Sequence, residues 1–295
     1  MTEYGGESGG GESSDDAAGS HAGTESDAND ANDADDPGPR LRRAATADEP
    51  LLGGWLSVPH PMVAELLAGS GFDFLCVDAE HAPVSFETMA NLLRAVDAAP
   101  GGTETLVRVG GHDPVELKRT MDLDPDALLV PMVDTAEEAE AIVDATRYPP
   151  AGSRGVGLGR ATDYGRDLDG YVASADDRFA RFVQIESEEA VENVADIAAV
   201  DGVDGVFVGP VDLSTSMGLL GAWDDERFQD AVDRVLSVAD DEGVAVGTLA
   251  TDAESRRTRL AEWGVDYLAA GVDATYLEEG ARRTLSECAD ALKER

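Results

Sequence analysis

Two acidic residues, Glu186 and Asp212, each stand just past a short apolar run, with no cysteine or histidine close by in the sequence. Carboxylate oxygens alone are hard ligands, suited to Mg²⁺ or Mn²⁺, which keep several waters and leave room for substrate oxygens. Either residue could instead cap the helix that follows it; as a pair on adjacent runs they point to a metal. His81 follows Asp78 by three residues, again just beyond an apolar run. An aspartate that holds one ring nitrogen fixes the tautomer and raises the basicity of the other, which would make His81 a general acid/base. The alternative is a structural loop histidine. His60 and His112 lack such a partner, and His21 lies in a polar stretch. Arg108 offers a planar fork for a carboxylate or a developing enolate, or else a salt bridge. The run Gly209-Pro210-Val211-Asp212 ends an apolar segment with backbone that a ligand can approach closely, and opens a short helix whose first amides could take an anion.

These residues share a position: each lies at the end of a strand-like run. The runs are 54–58, 72–77, 104–109, 127–132, 179–185, 203–208, 244–249 and 265–270, with helical patterns near 60–69, 86–98, 113–121, 135–146, 187–199, 225–241, 252–263 and 274–292. Eight short runs, each followed by a helix, predict parallel strands with right-handed crossovers. Their apolar density agrees, because parallel strands are covered on both faces. Eight repeats favour a closed (β/α)8 barrel, the TIM barrel, in which chemistry sits at the C-terminal ends of the strands. That places Trp55 after strand one, Asp78, Glu80 and His81 after strand two, and Arg108 at strand three. Gln184 and Glu186 fall at strand five, Asp212 after strand six and Leu249 after strand seven. Charged groups at the mouths of apolar strands need partners, since burying them unpaired costs several kcal/mol.

The punctuation fits. Asp113-Pro114 reads as an N-cap and first-turn proline, Thr251 or Asp252 can cap the next-to-last helix, and Gly243 and Gly264 each end a helix just before a strand. Tyr148-Pro149-Pro150 stops the fourth helix and opens the longest loop, about 151–170.

The chain carries 61 acidic against 22 basic residues, a net charge of −39. It repels nucleic acid and anionic lipid, so neither is an expected partner. Acidic excess with only two lysines, Lys118 and Lys293, suits a high-salt cytoplasm in which cations screen the self-repulsion. Residues 1–47 are small and acidic and are expected to form a disordered tail ahead of the barrel domain, 48–295. No apolar run reaches the length of a membrane span, and the N-terminus lacks a signal-peptide pattern, so the expected location is cytoplasmic. Cys76 and Cys288 are too far apart in sequence to suggest a disulfide framework.

Several segments together resemble the HpcH/HpaI class II aldolases, which act on 2-keto acids carrying a 4-hydroxyl. They are Gly54-Trp55, Phe72-Asp73-Phe74-Leu75, Val77-Asp78-Ala79-Glu80-His81-Ala82-Pro83, Leu128-Leu129-Val130-Pro131-Met132-Val133, Arg147-Tyr148-Pro149-Pro150-Ala151-Gly152-Ser153-Arg154-Gly155, Gln184-Ile185-Glu186 and Val208-Gly209-Pro210-Val211-Asp212-Leu213-Ser214. The resemblance spans about residues 53–288. It implies a divalent metal (Mg²⁺ or Mn²⁺, with Co²⁺ a further option) held by Glu186 and Asp212, and pyruvate bound there and by the amides of Val211 and Asp212. Gly209 and Pro210 would shape that turn. His81, oriented by Asp78, would be the acid/base, and Arg108 would stabilise the enolate. Asp122 would support the site from a neighbouring subunit, Trp55 and Leu249 would shape the acceptor pocket, and Gln184 would line the metal site. A hexamer with exchanged C-terminal helices is also implied. The chain departs from the family pattern at Leu123-Asp124-Pro125-Asp126 and at Val211, where alanine is usual.

The activity so implied is reversible cleavage of a 4-hydroxy-2-oxo acid to pyruvate and an aldehyde. A Schiff-base route needs a buried lysine. Lys118 falls on a predicted outer helix and Lys293 in the last three residues, which favours the metal route. The alternatives are an acyl-CoA lyase of the citrate lyase β-subunit or malyl-CoA lyase type, and a non-catalytic barrel.

Overall fold

The computed structural model describes residues 38–293. Eight parallel strands close into a barrel in chain order: β1 (Leu51–Leu56), β2 (Phe74–Asp78), β3 (Glu104–Arg108), β4 (Ala127–Val130), β5 (Ala180–Ile185), β6 (Gly205–Val208), β7 (Ala245–Leu249) and β8 (Tyr267–Val272). The helices are α1 (Pro61–Ala68), α2 (Phe86–Ala98), α3 (Pro114–Met121), α4 (Ala136–Thr146), α5 (Leu168–Ser174), α6 (Glu188–Ala198), α7 (Pro210–Ser216), α8 (Glu226–Glu242), α9 (Ala253–Thr258) and α10 (Asp273–Lys293). The expected TIM barrel is therefore the fold.

Local signals explain most boundaries. Asp113 caps α3 through the amides of Val115 and Glu116, and Asp252, not Thr251, caps α9. Gly243 and Gly264 adopt left-handed conformations, where glycine lacks the Cβ clash. The helix expected over 252–263 leaves α-geometry at Arg259 and finishes as a π-turn. The expected loop near 151–170 runs into α5, whose first residues, from Leu168, fall inside it.

The barrel has two apolar layers. The outer one lies between strands and helices and includes Leu75, Val77, Val107, Val183, Val206 and Leu268. The inner one fills the barrel with Trp55, Phe74, Cys76, Leu106, Leu129, Phe182, Phe207 and Tyr267. Strand alternation separates the two sets. The filling is tight: a Cβ at Gly247 would meet the Tyr267 ring at 2.2 Å.

The N-terminal boundary differs from expectation. Residues 1–37 of the expected tail lie outside the described residues, but Arg40–Thr46 forms a 3₁₀ helix with Leu41 and Ala44 buried under the inner layer. The amides of Arg40 and Leu41 donate to the Glu104 carboxylate at 2.6 and 2.9 Å. Arg40 pairs with Asp73, and Arg42 with Asp177 and Asp204. Residues 40–46 of the stretch assigned to the tail are therefore part of the barrel's floor: Leu41 and Ala44 close it, and Arg40 and Arg42 meet floor carboxylates.

The floor has a regular hydrogen-bond pattern. Asp73, Asp126, Asp204 and Asp266 each immediately precede an even-numbered strand. Each accepts the amide of the preceding strand's second residue: Leu52, Thr105, Arg181 and Val246, at 2.7–2.9 Å. These amides at the strand starts are thereby satisfied without water.

α10 begins at the mouth, anchored by Asp273, which accepts from Ser57 and Val58. Beyond Asp273 it buries no residue, and Leu277, Leu285 and Leu292 lie exposed along one stripe.

Candidate active site

The inner layer has a period of two, and continuing it along β2, β3 and β5 reaches polar groups, and along β6 a glycine beside them. Phe74 and Cys76 lead to Asp78, Leu106 to Arg108, Phe182 to Gln184 and Glu186, and Phe207 to Gly209. The mouth is thus the top of the same column of side chains that fills the barrel.

Asp78 and Arg108 are register partners on β2 and β3. Arg108 Nε and Nη2 donate to the two carboxylate oxygens of Asp78 at 3.0 and 2.8 Å, and Nη1 lies 2.9 Å from Glu80 Oε2. The guanidinium stacks over the Trp55 ring at 4.7 Å, and the Trp55 indole N–H points to Asp78 at 3.4 Å. Burial alone would raise the Asp78 carboxyl, but the Arg108 hydrogen bonds and charge outweigh it and leave the group below its ordinary range. Arg108 has five N–H donors; Asp78 takes two and Glu80 faces a third, so two are left for other acceptors.

Glu186 is 3 % exposed. It accepts the Met132 amide at 2.8 Å and the Gln184 side-chain amide at 2.8 Å. Among the described residues no lysine or arginine forms an ion pair with it. Burial is the largest cause that pushes its carboxyl up to about 7, and the neighbouring charges of Asp212 and Glu80 add to this. The Met132 amide reaches Glu186 because the backbone turns left-handed there, with φ of 51°, a strained conformation for a side chain of that size. Strand β4 stops at Val130 because Pro131 has no amide to donate and Met132 has turned away.

Glycine at position 209 is required by the same carboxylate. A Cβ there would lie 2.5 Å from Glu186 Oε2. Asp212 sits exposed in the first turn of α7, where the amides of Val211 and Asp212 precede the first intrahelical bond, Leu213 to Gly209.

The donor set fits a divalent cation. A buried carboxylate lacks a positive partner, a second carboxylate raises its proton affinity, and the buried Gln184 Oε1 beside them has no hydrogen-bond partner. Among the described residues no group of three or more histidine, cysteine or acidic side chains is placed to hold a metal ion by itself. The protein thus offers a two-carboxylate set of hard oxygens, with the rest of the coordination left to small ligands.

Residues 51–279 match the family model described as HpcH/HpaI aldolase/citrate lyase. The chain belongs to this family. An HpcH/HpaI relative from Escherichia coli, 4-hydroxy-2-oxo-heptane-1,7-dioate aldolase, is 43% identical over 243 residues, 82% of this chain and 91% of its own. The hydroxypyruvate/pyruvate aldolase of Chromohalobacter salexigens is 41% identical over 246 residues, 83% of this chain and 95% of its own. A crystal structure of an HpcH/HpaI aldolase/citrate lyase family protein from Burkholderia cenocepacia J2315 superposes with a TM-score of 0.81 at 38% identity, covering 85% of this chain and 99% of that one.

Within this HpcH/HpaI barrel most of the expected residues converge on the mouth, but three placements differ. Trp55 lies within β1, paired with Cys76, rather than after it. Asp78 does not hold the His81 ring: it accepts the His81 backbone amide at 3.2 Å, and its oxygens are otherwise committed to Arg108 and Trp55. The ring, with a side-chain exposure of 70%, instead has Nε2 3.8 Å from Glu80 Oε2. Asp122 ends α3, which runs from the mouth to the floor, and there it meets Arg154 at 3.3 Å. One chain therefore does not bring Asp122 to its own mouth. The other two histidines in the described residues have local roles, His60 capping α1 and His112 bonding Pro131 O. Lys118 lies on α3, and Lys293 ends α10.

Two mouth residues had no assigned role. Glu80 stood in view at the end of strand two, and its charge beside Arg108 was the available signal. Nothing in the amino-acid type at Met132 indicates that its amide serves Glu186.

Proposed function

We propose that the chain is a divalent-cation-dependent aldolase that cleaves a 4-hydroxy-2-oxo acid to pyruvate and an aldehyde and runs the reverse addition. The observation that carries this reading is the buried Glu186 carboxylate without a positive partner, beside Asp212 and the orphaned Gln184 oxygen. The names of the E. coli and Chromohalobacter relatives support it. Glu186 and Asp212 would hold Mg²⁺, Mn²⁺ or Co²⁺. When bound, such a cation supplies Lewis-acid stabilisation of the charge that develops on the keto oxygen.

His81 takes the C4 hydroxyl proton of the substrate as the C3–C4 bond breaks and the aldehyde leaves. The electron pair passes into the pyruvate enolate, and the N–H groups of Arg108 not used by Asp78 or Glu80 stabilise its oxygen. Return of a proton to C3 completes pyruvate. The amides of Val211 and Asp212, with Gly209 and Pro210 shaping the turn, bind the substrate carboxylate, and Gln184 lines its floor. Trp55 and Leu249 border the aldehyde.

The working unit is a homo-oligomer, a hexamer by family resemblance. The exposed stripe on α10 supports exchange of that helix between copies, and the floor position of Asp122 supports its service to a neighbouring copy's mouth. The net charge of −39 supports a high-salt, cytoplasmic setting. Among the described residues no helix is long and apolar enough to cross a membrane.

The test is deuterium exchange of the pyruvate methyl group in D₂O at high KCl, followed by NMR with and without Mn²⁺. Exchange that needs the cation and is lost in Glu186→Ala is the expected result. Folded protein that gives no exchange with any divalent cation overturns the reading.

A further inference from the structure

We propose that His112 is a positioning residue for Glu186, acting through the Pro131–Met132 peptide group that stands between them. This inference rests on the reading of Glu186 as a cation ligand in the aldolase mouth.

The two ends of that peptide group have different partners. Its carbonyl, Pro131 O, lies 2.6 Å from His112 Nε2, and its amide, Met132 N, lies 2.8 Å from Glu186 Oε1. A carbonyl oxygen only accepts, so the His112 ring carries a hydrogen on Nε2. That hydrogen is present in the Nε2–H tautomer and in the imidazolium alike. The peptide group is planar and trans, so its C=O and N–H point in opposite directions, and holding one end aims the other. A donor on the carbonyl also polarises the amide and strengthens the bond that it gives.

The path of the backbone explains why a side chain is needed here. The Val109 amide donates to Leu129 O at 3.1 Å, continuing the β3–β4 ladder one residue past β3. The next carbonyl on that edge of the chain is Pro131 O, and it is the His112 ring that reaches it. The loop that carries His112 is itself fixed, since the Gly110 amide donates to Glu116 Oε1 at 2.9 Å and Asp113 caps α3. The far side of the turn is tied down as well. The Asp134 carbonyl accepts from the Asn193 side chain at 2.8 Å, and the Asp134 carboxylate accepts from Ser187, the neighbour of Glu186. The left-handed Met132 is thus clamped on both sides, as a strained conformation must be, and His112 is the clamp on its N-terminal side.

The consequence falls on one oxygen. The Gln184 amide holds Glu186 Oε2, and the Met132 amide holds Oε1. Loss of His112 would free the peptide group to rotate, and Oε1 would lose the donor that orients it. Groups that hydrogen-bond a ligating carboxylate set its direction and contribute to metal affinity.

The experiment compares the full chain with His112→Phe, which keeps a ring without an N–H, and His112→Gln, which restores a side-chain N–H at similar reach. Two quantities are read: Mn²⁺ affinity by titration calorimetry, and the Met132 amide resonance of the cation-free protein labelled with ¹⁵N-methionine. His112→Phe is expected to weaken Mn²⁺ binding about tenfold and to move the Met132 amide proton upfield, as a weaker hydrogen bond does. His112→Gln is expected to recover most of both. The ¹⁵N spectrum of the parent's His112 ring should show the hydrogen on Nε2. A His112→Phe chain with the parent's Mn²⁺ affinity and an unmoved Met132 amide overturns the proposal. Equal weakening in the Phe and Gln variants with an unmoved amide also overturns it, because the ring then only supports the fold. A neutral ring with its hydrogen on Nδ1 does the same. If the parent binds no Mn²⁺ or exchanges no pyruvate methyl hydrogen, the aldolase reading fails. The Met132 amide and the ring spectrum then still decide whether His112 aims that amide at Glu186.

Discussion

The floor and the mouth of this barrel are both crowded with acidic side chains and arginines, yet the two ends resolve their charges differently. On the floor each of the four aspartates that precede an even-numbered strand takes a backbone amide from the strand before it. Arginines pair with part of the set: Arg40 with Asp73 and Glu104, Arg42 with Asp177 and Asp204, and the buried Arg181 with Asp176. Burial raises the Asp126 and Asp266 carboxyls, which rely on amide and hydroxyl donors. At the mouth, among the described residues, the arginine pairs are those of the Asp78–Arg108–Glu80 group. Glu186 is more deeply buried than these floor acids and has amide donors but, among the described residues, no positive ion-pair partner, and Asp212 raises its proton affinity further. A buried charge left short of one counter-ion costs several kcal/mol. The floor acids are held mostly by amides and arginines, and the deepest deficit stands at Glu186 in the mouth, where a bound cation can fill it.

Substitutions can break this contrast. Glu186→Gln should abolish Mn²⁺-dependent turnover by on the order of 10³-fold, with a melting temperature in the cation-free state no lower than the parent's. A matching loss of stability would show that Glu186 belongs with the floor residues. Arg181→Met should do the reverse. Removing a buried cation from Asp176 and Thr146 should cost about 3 kcal/mol of unfolding free energy, with turnover per folded molecule unchanged. Leu41→Ala tests the floor plug: about 2–3 kcal/mol lost in denaturant titrations, again with normal turnover. Gly209→Ala should weaken Mn²⁺ binding by about 10- to 100-fold in calorimetry, because the new methyl displaces Glu186.

The smallest effect concerns pH. The Glu186 carboxyl sits at about 7 in the fold, against an ordinary value of 4.5. The cation-free fold therefore holds a proton there that the unfolded chain has released, and its stability falls as pH rises across that window. Cation binding must expel the same proton, so Mn²⁺ affinity should weaken by up to about tenfold per unit as pH drops below 7, and level off above it. An affinity flat from pH 5 to 7 would remove Glu186 from the ligand set.

Much of this was legible in the chain. Eight apolar runs with intervening helices led to the closed barrel, and asking what stands at the end of each run found Asp78, Arg108, Gln184, Glu186 and Asp212. What escaped was decided by partners, which spacing along one strand does not reveal. Asp78 is three residues from His81, but Arg108 sits beside it in register on the next strand and takes both its oxygens. The floor helix at Arg40–Thr46 escaped because a single leucine in a polar stretch, Leu41, carries no periodicity. Its burial depends on an open barrel end that only the assembled sheet creates. Asp122 was read from family resemblance, and only the direction of α3 shows that it sits at the opposite end of its own barrel.

The left-handed turn at Met132 has a consequence for how such an enzyme can diversify. The residue serves Glu186 through its amide alone, while its side chain stands half in solvent at the mouth. Natural variation at this position can therefore reshape what enters the barrel without disturbing the chemistry beneath, provided that the backbone keeps its turn. Position 209 offers the opposite situation, since any side chain there collides with the carboxylate itself. Evolution is left with one adjustable and one frozen position around the same oxygen atoms, so selectivity can drift across a lineage while the reaction stays the same.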